Sequence, residues 1–347
     1  MQEFWEEEPP EEDLLAYDPF LPDELGFLWA RSRFNAPRYL AYVIRGGVYA
    51  EHIRKVLQDG VESYYLAEER PKKSGGTRIL LKPQGMLKHI QSRIYKTILR
   101  GIGVQPACHG YTKGRSIVTN AVGHVASTHM MAIDLDNAFS HVTRKRVSEL
   151  LQGTEIFNVE AGRYSHRVEI GWYLANLIAY LCTTHLPDWG VVLPQGAPTS
   201  PTLFNLACRD IDRRLGKFCQ HNGIVYTRYV DNLYLSRGRP FTGKEYRVVE
   251  NIVEKSGFLV NDAKTRMMQA NPHSVLRLPG VVISGGELRA PRKTVRELRA
   301  AVYHALRTSD WDKLNGLLGY VKQIYGGELP PQIRQALRPR QLAIRLD

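Results

Sequence analysis

Cysteine is scarce in this chain, and its four residues, Cys108, Cys182, Cys208 and Cys219, show neither C-x-x-C spacing nor a nearby pair of histidines. That argues against a zinc site and against a disulfide framework, and a reducing cytoplasm fits best. Long apolar runs are missing too: the longest, Ile170 to Cys182, falls well short of the ~20 residues that a membrane span needs. The start, Met1-Gln-Glu-Phe-Trp-Glu-Glu-Glu, is acidic where a secretory leader would be basic, so no membrane partner is expected. Acidic residues are in deficit overall, with 47 Lys and Arg against 35 Asp and Glu and a formal net charge of +12. Because Glu3, Glu6, Glu7, Glu8, Glu11, Glu12 and Asp13 crowd the first residues, the positive excess over the remainder is larger still. Such a balance suits a polyanion partner, although some basic proteins are merely soluble, so chemistry has to decide.

The chain has 347 residues, 43% of them hydrophobic, enough for two or three subdomains with a real core. Its organising stretch is Val225-Tyr-Thr-Arg-Tyr-Val-Asp-Asn-Leu-Tyr-Leu-Ser-Arg237, where Asp231 and Asn232 interrupt aromatic and aliphatic residues without helical spacing. The pattern predicts a β-hairpin with a carboxylate at its tip. Alone, an Asp there serves turn chemistry equally well. A second carboxylate changes the reading: Met131-Ala-Ile-Asp134-Leu-Asp136-Asn-Ala-Phe139-Ser140 is an apolar strand running out into an acidic turn. If the two strands are neighbours, two hard oxygen ligands meet, as Mg²⁺-dependent phosphoryl chemistry requires.

Residues 1–13 read as a solvated or partner-binding tail, and the spacing from Asp23 to about Gln58 predicts short amphipathic helices. Tyr64 to Pro83 predicts a strand, a Gly75-Gly76 turn and a second strand, with Lys72, Lys73 and Arg78 either simply solvated or reaching a triphosphate. Gly85 to Arg100 is helical by its apolar spacing. The Gly-punctuated loop His109 to Ser116 is structural or lets the backbone approach a nucleotide strand. Leu193-Pro-Gln195-Gly196-Ala-Pro-Thr-Ser-Pro201 is a turn ahead of a helix expected over Thr202 to Phe218. A strand is expected over Leu278 to Ile283, and then a helix from Arg292 with Val295, Leu298, Val302 and Leu306 along one face. Arg292, Lys293, Arg296 and Arg299 surround that helix and suit a duplex gripped by its phosphates.

The ordered set of motifs resembles the reverse transcriptases of prokaryotes, nearest to retron-type, group II intron-like and defence-associated enzymes. The resemblance runs from about Tyr64 to Tyr325 and rests on Lys-x-Gly-Gly-x-Arg (Lys73 to Arg78), His-Gly-Tyr-x-x-Gly-Arg-Ser (His109 to Ser116) and Asn-Ala-x-x-His (Asn120 to His124). It continues through Asp-Leu-x-x-Ala-Phe (Asp134 to Phe139), Pro-Gln-Gly-x-x-x-Ser-Pro (Pro194 to Pro201) and Tyr-Val-Asp-Asn (Tyr229 to Asn232). Gly-Phe-x-x-Asn-x-x-Lys-Thr (Gly257 to Thr265) and Leu-Pro-Gly-Val-Val (Leu278 to Val282) complete it. The resemblance implies an α+β right-hand polymerase. Its parts would be an acidic tail and N-terminal helices (1–63), fingers (64–130), a palm with an antiparallel sheet (131–286, with a finger or helical insertion at 144–192) and a helical thumb with a basic tail (287–347).

The same resemblance implies an RNA-directed DNA polymerase. Asp134 and Asp231, with the carbonyl of Leu135, would hold Mg²⁺, or Mn²⁺ in its stead, and Lys264 would donate a proton to pyrophosphate. Lys72 or Lys73 with Arg78 would grip the triphosphate, Phe139 would crowd a ribose 2′-hydroxyl, and Gln195 and Gly196 would border the nucleotide. Arg115 and Ser116 would touch nucleic acid. Implied partners are an RNA template, expected to be a dedicated non-coding RNA of a bacterial antiviral system, a DNA product, dNTPs and a protein partner or effector. Two departures stand out: Asn232 replaces the family's second tip acid, and Ala138 replaces the aromatic before Phe139. Either the two acids Asp134 and Asp231 suffice, with Asn232 beside them in the catalytic set, or the amide marks a weakened, specialised or silent polymerase-shaped RNA-binding scaffold.

Overall fold

The structure is a computed structural model that describes residues 36–71, 77–157 and 167–336. The acidic start, Lys72, Lys73 and the Gly-Gly turn lie outside the described residues. Contacts divide the chain into two compact units that it visits alternately. The first takes the described residues up to Gln105, then Asn137–Ile211 and Ser256–Leu259; the second takes Pro106–Asp136, Asp212–Lys255 and Val260 onward. The stretch 106–130, expected with the fingers, thus falls in the same unit as Asp134 and Asp231.

In the first unit, helix α1 (Ala36–Ile44) buries Tyr39, Leu40, Val43 and Ile44, and α2 (Ala50–Asp59) buries Ile53 and Val56, the short amphipathic helices that their spacing predicts. Strands β1 (Tyr65–Pro71) and β2 (Thr77–Pro83) pair antiparallel from Tyr65↔Pro83 to Pro71↔Thr77. Helix α3 (Gly85–Thr97) turns Leu87, Ile90 and Ile94 inward. It stops earlier than expected, and Leu99–Gly101 is a turn of 3₁₀ helix.

The chain then enters the second unit through α4 (Ile117–Val122) and β3 (His129–Asp134), and returns to the first with α5 (Arg144–Leu151). The hairpin β4 (Glu155–Phe157) and β5 (Arg167–Glu169) precedes α6 (Trp172–Cys182), which is apolar on nearly every side and correspondingly buried. After the hairpin β6 (Thr184–Leu186) and β7 (Gly190–Val192), the helix expected over 202–218 proves to be two, α7 (Ser200–Ala207) and α8 (Arg209–His221). They part at Cys208, whose ψ of −1° leaves the helical range. Apolar residues continue through the break, so periodicity alone does not reveal it.

The second unit resumes within α8 and continues through β8 (Val225–Tyr229), β9 (Asn232–Arg237), α9 (Gly243–Lys255) and β10 (Arg266–Gln269). Its central sheet is wholly antiparallel, in the order β10-β3-β9-β8, giving an α+β architecture. Beyond it, β11 (Leu276–Leu278), β12 (Val281–Ser284) and β13 (Glu287–Arg289) form a three-stranded sheet. The strand expected over 278–283 is therefore a hairpin, folded back at Pro279-Gly280, where Gly280 takes φ +70° at no Cβ cost. Helices α10 (Arg292–Thr308), α11 (Asp312–Ile324) and α12 (Pro331–Ala336) close the unit. Leu276, Leu278, Val281, Ile283, Leu298, Val302, Leu314, Val321 and Ile324 share one core, each large aliphatic worth about 1.5–3 kcal/mol when fully buried. Leu306 does not join it and is 37% exposed; Ala301 and Ala305 take the inward positions, small residues that a search for bulky apolar side chains passes over.

Candidate active site

Strand β3 ends at Asp134, and its pairing with β9 sets Asp134 directly across from Asn232. Side chains opposite one another in an antiparallel pair share a face. The hairpin β8–β9 closes at Tyr229↔Asn232, leaving Val230 and Asp231 as a two-residue loop. Asp231 thus sits at the predicted tip, and its carbonyl accepts a hydrogen bond from the amide of Leu135 at 2.9 Å, tying the tip to the end of β3. The two acids are brought together by register and by this bond.

Three side-chain hydrogen bonds tie this corner together. Asn232 Nδ2 donates to Asp231 Oδ1 at 2.7 Å, Lys264 Nζ donates to Asp134 Oδ2 at 2.9 Å, and Asn261 Nδ2 donates to Asp136 Oδ1 at 2.9 Å. The Asn261 amide also donates to the Asp134 carbonyl at 2.8 Å, so one residue steadies the turn after β3 through backbone and side chain. Beneath them Tyr234 is 5% exposed; burial first, then the charges of Asp231 and Asp134, push its phenol above the ordinary range, which keeps it neutral. The Asp134 side chain is 14% exposed and that of Lys264 51%, so the ion pair opens to solvent on the lysine side.

The donor set fits a hard divalent cation. Asp134, Asp231 and a main-chain carbonyl are oxygen ligands of the kind Mg²⁺ prefers, and no group of three or more His, Cys, Asp and Glu able to hold a metal occurs among the described residues. Mg²⁺ commonly takes one or two protein carboxylates and completes its shell with phosphate oxygens and water. The pair present is of that kind.

The turn itself is strained. Val230 takes φ +60°, while Asp231 is not among the residues with positive φ. That is the sign pattern of a type II′ turn, whose first central position favours glycine; a β-branched residue there costs about 1–3 kcal/mol. A Cβ on Gly110 would lie 2.5 Å from the Val230 nitrogen, so only glycine lets the 109–110 loop approach the turn this closely. Gly110, Asn261, Tyr234, Asp212 and Arg228 belong to this site, yet the sequence reading gave Gly110 only a loop role and the other four none. Asn261 and Gly110 stand within motifs quoted above, and Arg228 and Tyr234 within the hairpin stretch; Asp212 stands in neither.

Other predicted residues of this unit have visible structural duties. Arg115 donates through Nη1 to the carbonyls of Pro106 and Cys108, at 2.8 and 2.5 Å, and so closes its own loop. Ser116 caps α4, its hydroxyl accepting from the amides of Val118 and Thr119. Arg292, Lys293, Arg296 and Arg299 are exposed on α10, opposite buried Leu298 and Val302.

In the first unit, Arg78 is exposed on β2, across from Arg70. The Gln195 carbonyl accepts from the Leu81 amide at 2.7 Å, and a Cβ on Gly196, at φ +117°, would meet the Leu81 carbonyl oxygen at 2.9 Å. The close approach that Gly196 permits is therefore to strand β2. Phe139 is half-buried with its ring stacked on Phe204, centroids 4.6 Å apart at 15°, and Phe204 in turn meets Phe258 edge-on. Arg146 lies 4.4 Å over the Phe258 ring and donates to the carbonyls of Ala207, Ser256 and Gly257, fixing the aromatic stack from behind.

Comparison with known proteins follows the same residues. Residues 70–283 match the family described as reverse transcriptase (RNA-dependent DNA polymerase). The chain is 31% identical over 268 residues to the retron Mx162 reverse transcriptase of Myxococcus xanthus, covering 70% of this chain and 53% of that protein. It is 32% identical over 302 residues to the retron Mx65 reverse transcriptase of the same organism, covering 80% and 64%. With the retron Ec86 reverse transcriptase of Escherichia coli it shares 26% identity over 264 residues, 75% of each chain. The chain thus spans about half to just under two thirds of the length of the two Myxococcus proteins. A solved structure of telomerase from Candida albicans is similar at a TM-score of 0.44 and 10% identity, covering 76% of this chain and 55% of that one.

Proposed function

The chain belongs to the reverse transcriptase family, and from that premise we propose that it is an RNA-directed DNA polymerase extending a primer with dNTPs on an RNA template. The observation that carries this reading is the antiparallel register that sets Asp134 against Asn232 and ties Leu135 to Asp231. Asp134 and Asp231, with the Leu135 carbonyl, would hold Mg²⁺. When bound, the metal neutralises triphosphate charge and lowers the pKa of the attacking primer hydroxyl. Lys264 balances Asp134 in the free protein; in this reading it is released from that acid and gives a proton to the departing pyrophosphate.

The amide at position 232 is a positioning group in this reading. Its donation to Asp231 Oδ1 removes rotational freedom from the carboxylate that must meet the metal. The remaining assignments follow the family's motif pattern. Phe139, anchored on Phe204, crowds the ribose 2′-hydroxyl and favours dNTPs; Arg78, with Lys72 or Lys73, binds the triphosphate; Gln195 and Gly196 border the nucleotide. The basic face of α10 holds the template–product duplex through its phosphates. The retron character of its relatives supports a dedicated non-coding RNA as template and an antiviral role with an effector partner.

The test is incorporation of labelled dNTPs by the purified full chain with its co-purifying RNA and Mg²⁺. Activity that disappears in Asp231→Ala supports the polymerase. A folded wild-type protein that retains RNA and incorporates no dNTP would instead be a silent RNA-binding scaffold. No helix among the described residues is long and apolar enough to cross a membrane.

A further inference from the structure

Arg228 on β8 is fully buried, in a strand position where a cation is expensive. Its Nε and Nη2 donate to Asp212 Oδ1 and Oδ2 at 2.9 and 2.8 Å, and both side chains are at most 1% exposed. Burying such a pair costs about as much as the attraction returns, so its presence is poorly explained by stability alone. The third arm of the guanidinium shows what the pair delivers: Nη1 donates to the carbonyl of Val230 at 2.9 Å. Val230 is the strained residue immediately before Asp231. Arg228 is itself fixed, its amide donating to Ala107 O at 2.7 Å and its carbonyl accepting from His109 N at 2.8 Å. Tyr226 Oη donates to Asp212 Oδ1 at 2.8 Å and orients the acid.

We propose that Asp212 and Arg228 are positioning residues for the Asp231 turn. Asp212 locks the guanidinium from helix α8, and the guanidinium holds Val230 in the left-handed conformation by its carbonyl. With Gly110 packed against the Val230 nitrogen, the turn keeps the one shape that presents Asp231 beside Asp134. The proposal rests on the reading of Asp134 and Asp231 as metal ligands. A glycine at 230 would adopt the same φ without being held, so the device is needed because a valine stands there.

The experiment compares wild type, Arg228→Lys, Val230→Gly and the double variant as full-length proteins. Folding is checked by circular dichroism and thermal melting. Two properties are then measured: Mn²⁺ affinity by electron paramagnetic resonance, and single-dNTP incorporation on a synthetic RNA template with a DNA primer. Lysine keeps the charge and loses the fork, so folded Arg228→Lys is expected to lose about 10- to 100-fold in Mn²⁺ affinity and in kcat, with KM for dNTP little changed. Adding Val230→Gly should recover part of both losses, making the two substitutions non-additive. Mn²⁺ binding by folded Arg228→Lys that equals wild type overturns the proposal, as does a double variant whose losses simply multiply. Wild type that binds Mn²⁺ yet incorporates nothing overturns the polymerase reading alone, while the affinity comparison still decides the positioning role. Wild type that does neither overturns both.

Discussion

The corner around Asp231 and the outer face of helix α10 use charge in opposite ways within one unit. At the corner, Asp134, Asp231, Asp212, Arg228 and Lys264 each meet a named partner within 3 Å. On α10, Arg292, Arg296 and Arg299 are exposed, and the Lys293–Glu297 pair, at 3.8 Å between exposed side chains, is worth only a few tenths of a kcal/mol. The first arrangement specifies where an atom sits; the second supplies a summed positive potential in which one residue can replace another. Substitutions should therefore be severe and specific at the corner and mild and interchangeable on the helix.

The largest expected effect is on stability. Asp212→Ala leaves the Arg228 charge buried without its counter-ion, and urea unfolding should show a loss of about 3–5 kcal/mol. A loss under about 1 kcal/mol would mean that this corner is as forgiving as the helix, and the comparison would fail.

Next comes His124, buried behind the same hairpin, with Nδ1 2.6 Å from Ser236 Oγ and Nε2 2.8 Å from Thr227 Oγ1. Burial, and then the charge of His109, lower its pKa from 6.5 to about 4. The unfolded chain takes up this proton more readily than the folded one. The contribution of neutral His124 is therefore fully present above pH 6.5 and is lost as pH falls from 6.5 towards 4, reaching about 3 kcal/mol at most. The difference between wild type and His124→Gln in unfolding free energy, followed from pH 7 to 4.5, measures it; a difference independent of pH would refute the assignment.

Asn232→Asp sharpens the contrast at smaller cost. It exchanges a donor 2.7 Å from the Asp231 oxygen for a like charge, and single-turnover incorporation in Mg²⁺ should slow about tenfold, the equivalent of one hydrogen bond to a charged group. Faster incorporation would show that the amide limits the enzyme. Smallest of all, Arg296→Ala on α10 should weaken RNA–DNA duplex binding evenly across sequences and reduce the salt dependence by about one counter-ion, as should Arg299→Ala. A sequence-selective loss at either position would give the helix a reading role beyond its charge.

The parts legible in the sequence are those written in local pattern. Alternating aromatic and aliphatic residues on either side of Asp231 foretell the hairpin, and Asp134 at the end of an apolar run foretells a strand leading out to a turn. The amphipathic stripe of α10 is equally legible, except that Ala301 and Ala305, not Leu306, complete it. Arg115 and Ser116 were harder: a Gly, Ser and Arg loop suits nucleic-acid contact and helix capping alike, and the capping signal lay in Ser116 standing immediately before the helix. Arg228 was illegible, because a cation in a strand reads as surface until the carboxylate that buries it, on another element, is known.

Residue order alone determined that one acid would end a strand and a second would stand at a hairpin tip, that an amide would follow the second, and to which family the chain belongs, since each depends on neighbours a few positions apart. Only tertiary structure decided that Lys264 meets Asp134, that Arg228 buries itself on Asp212, and that Gly110 lies against Val230. Those contacts join elements distant in the chain, and which long-range partners meet is set by packing and strand register, for which local spacing carries no signal.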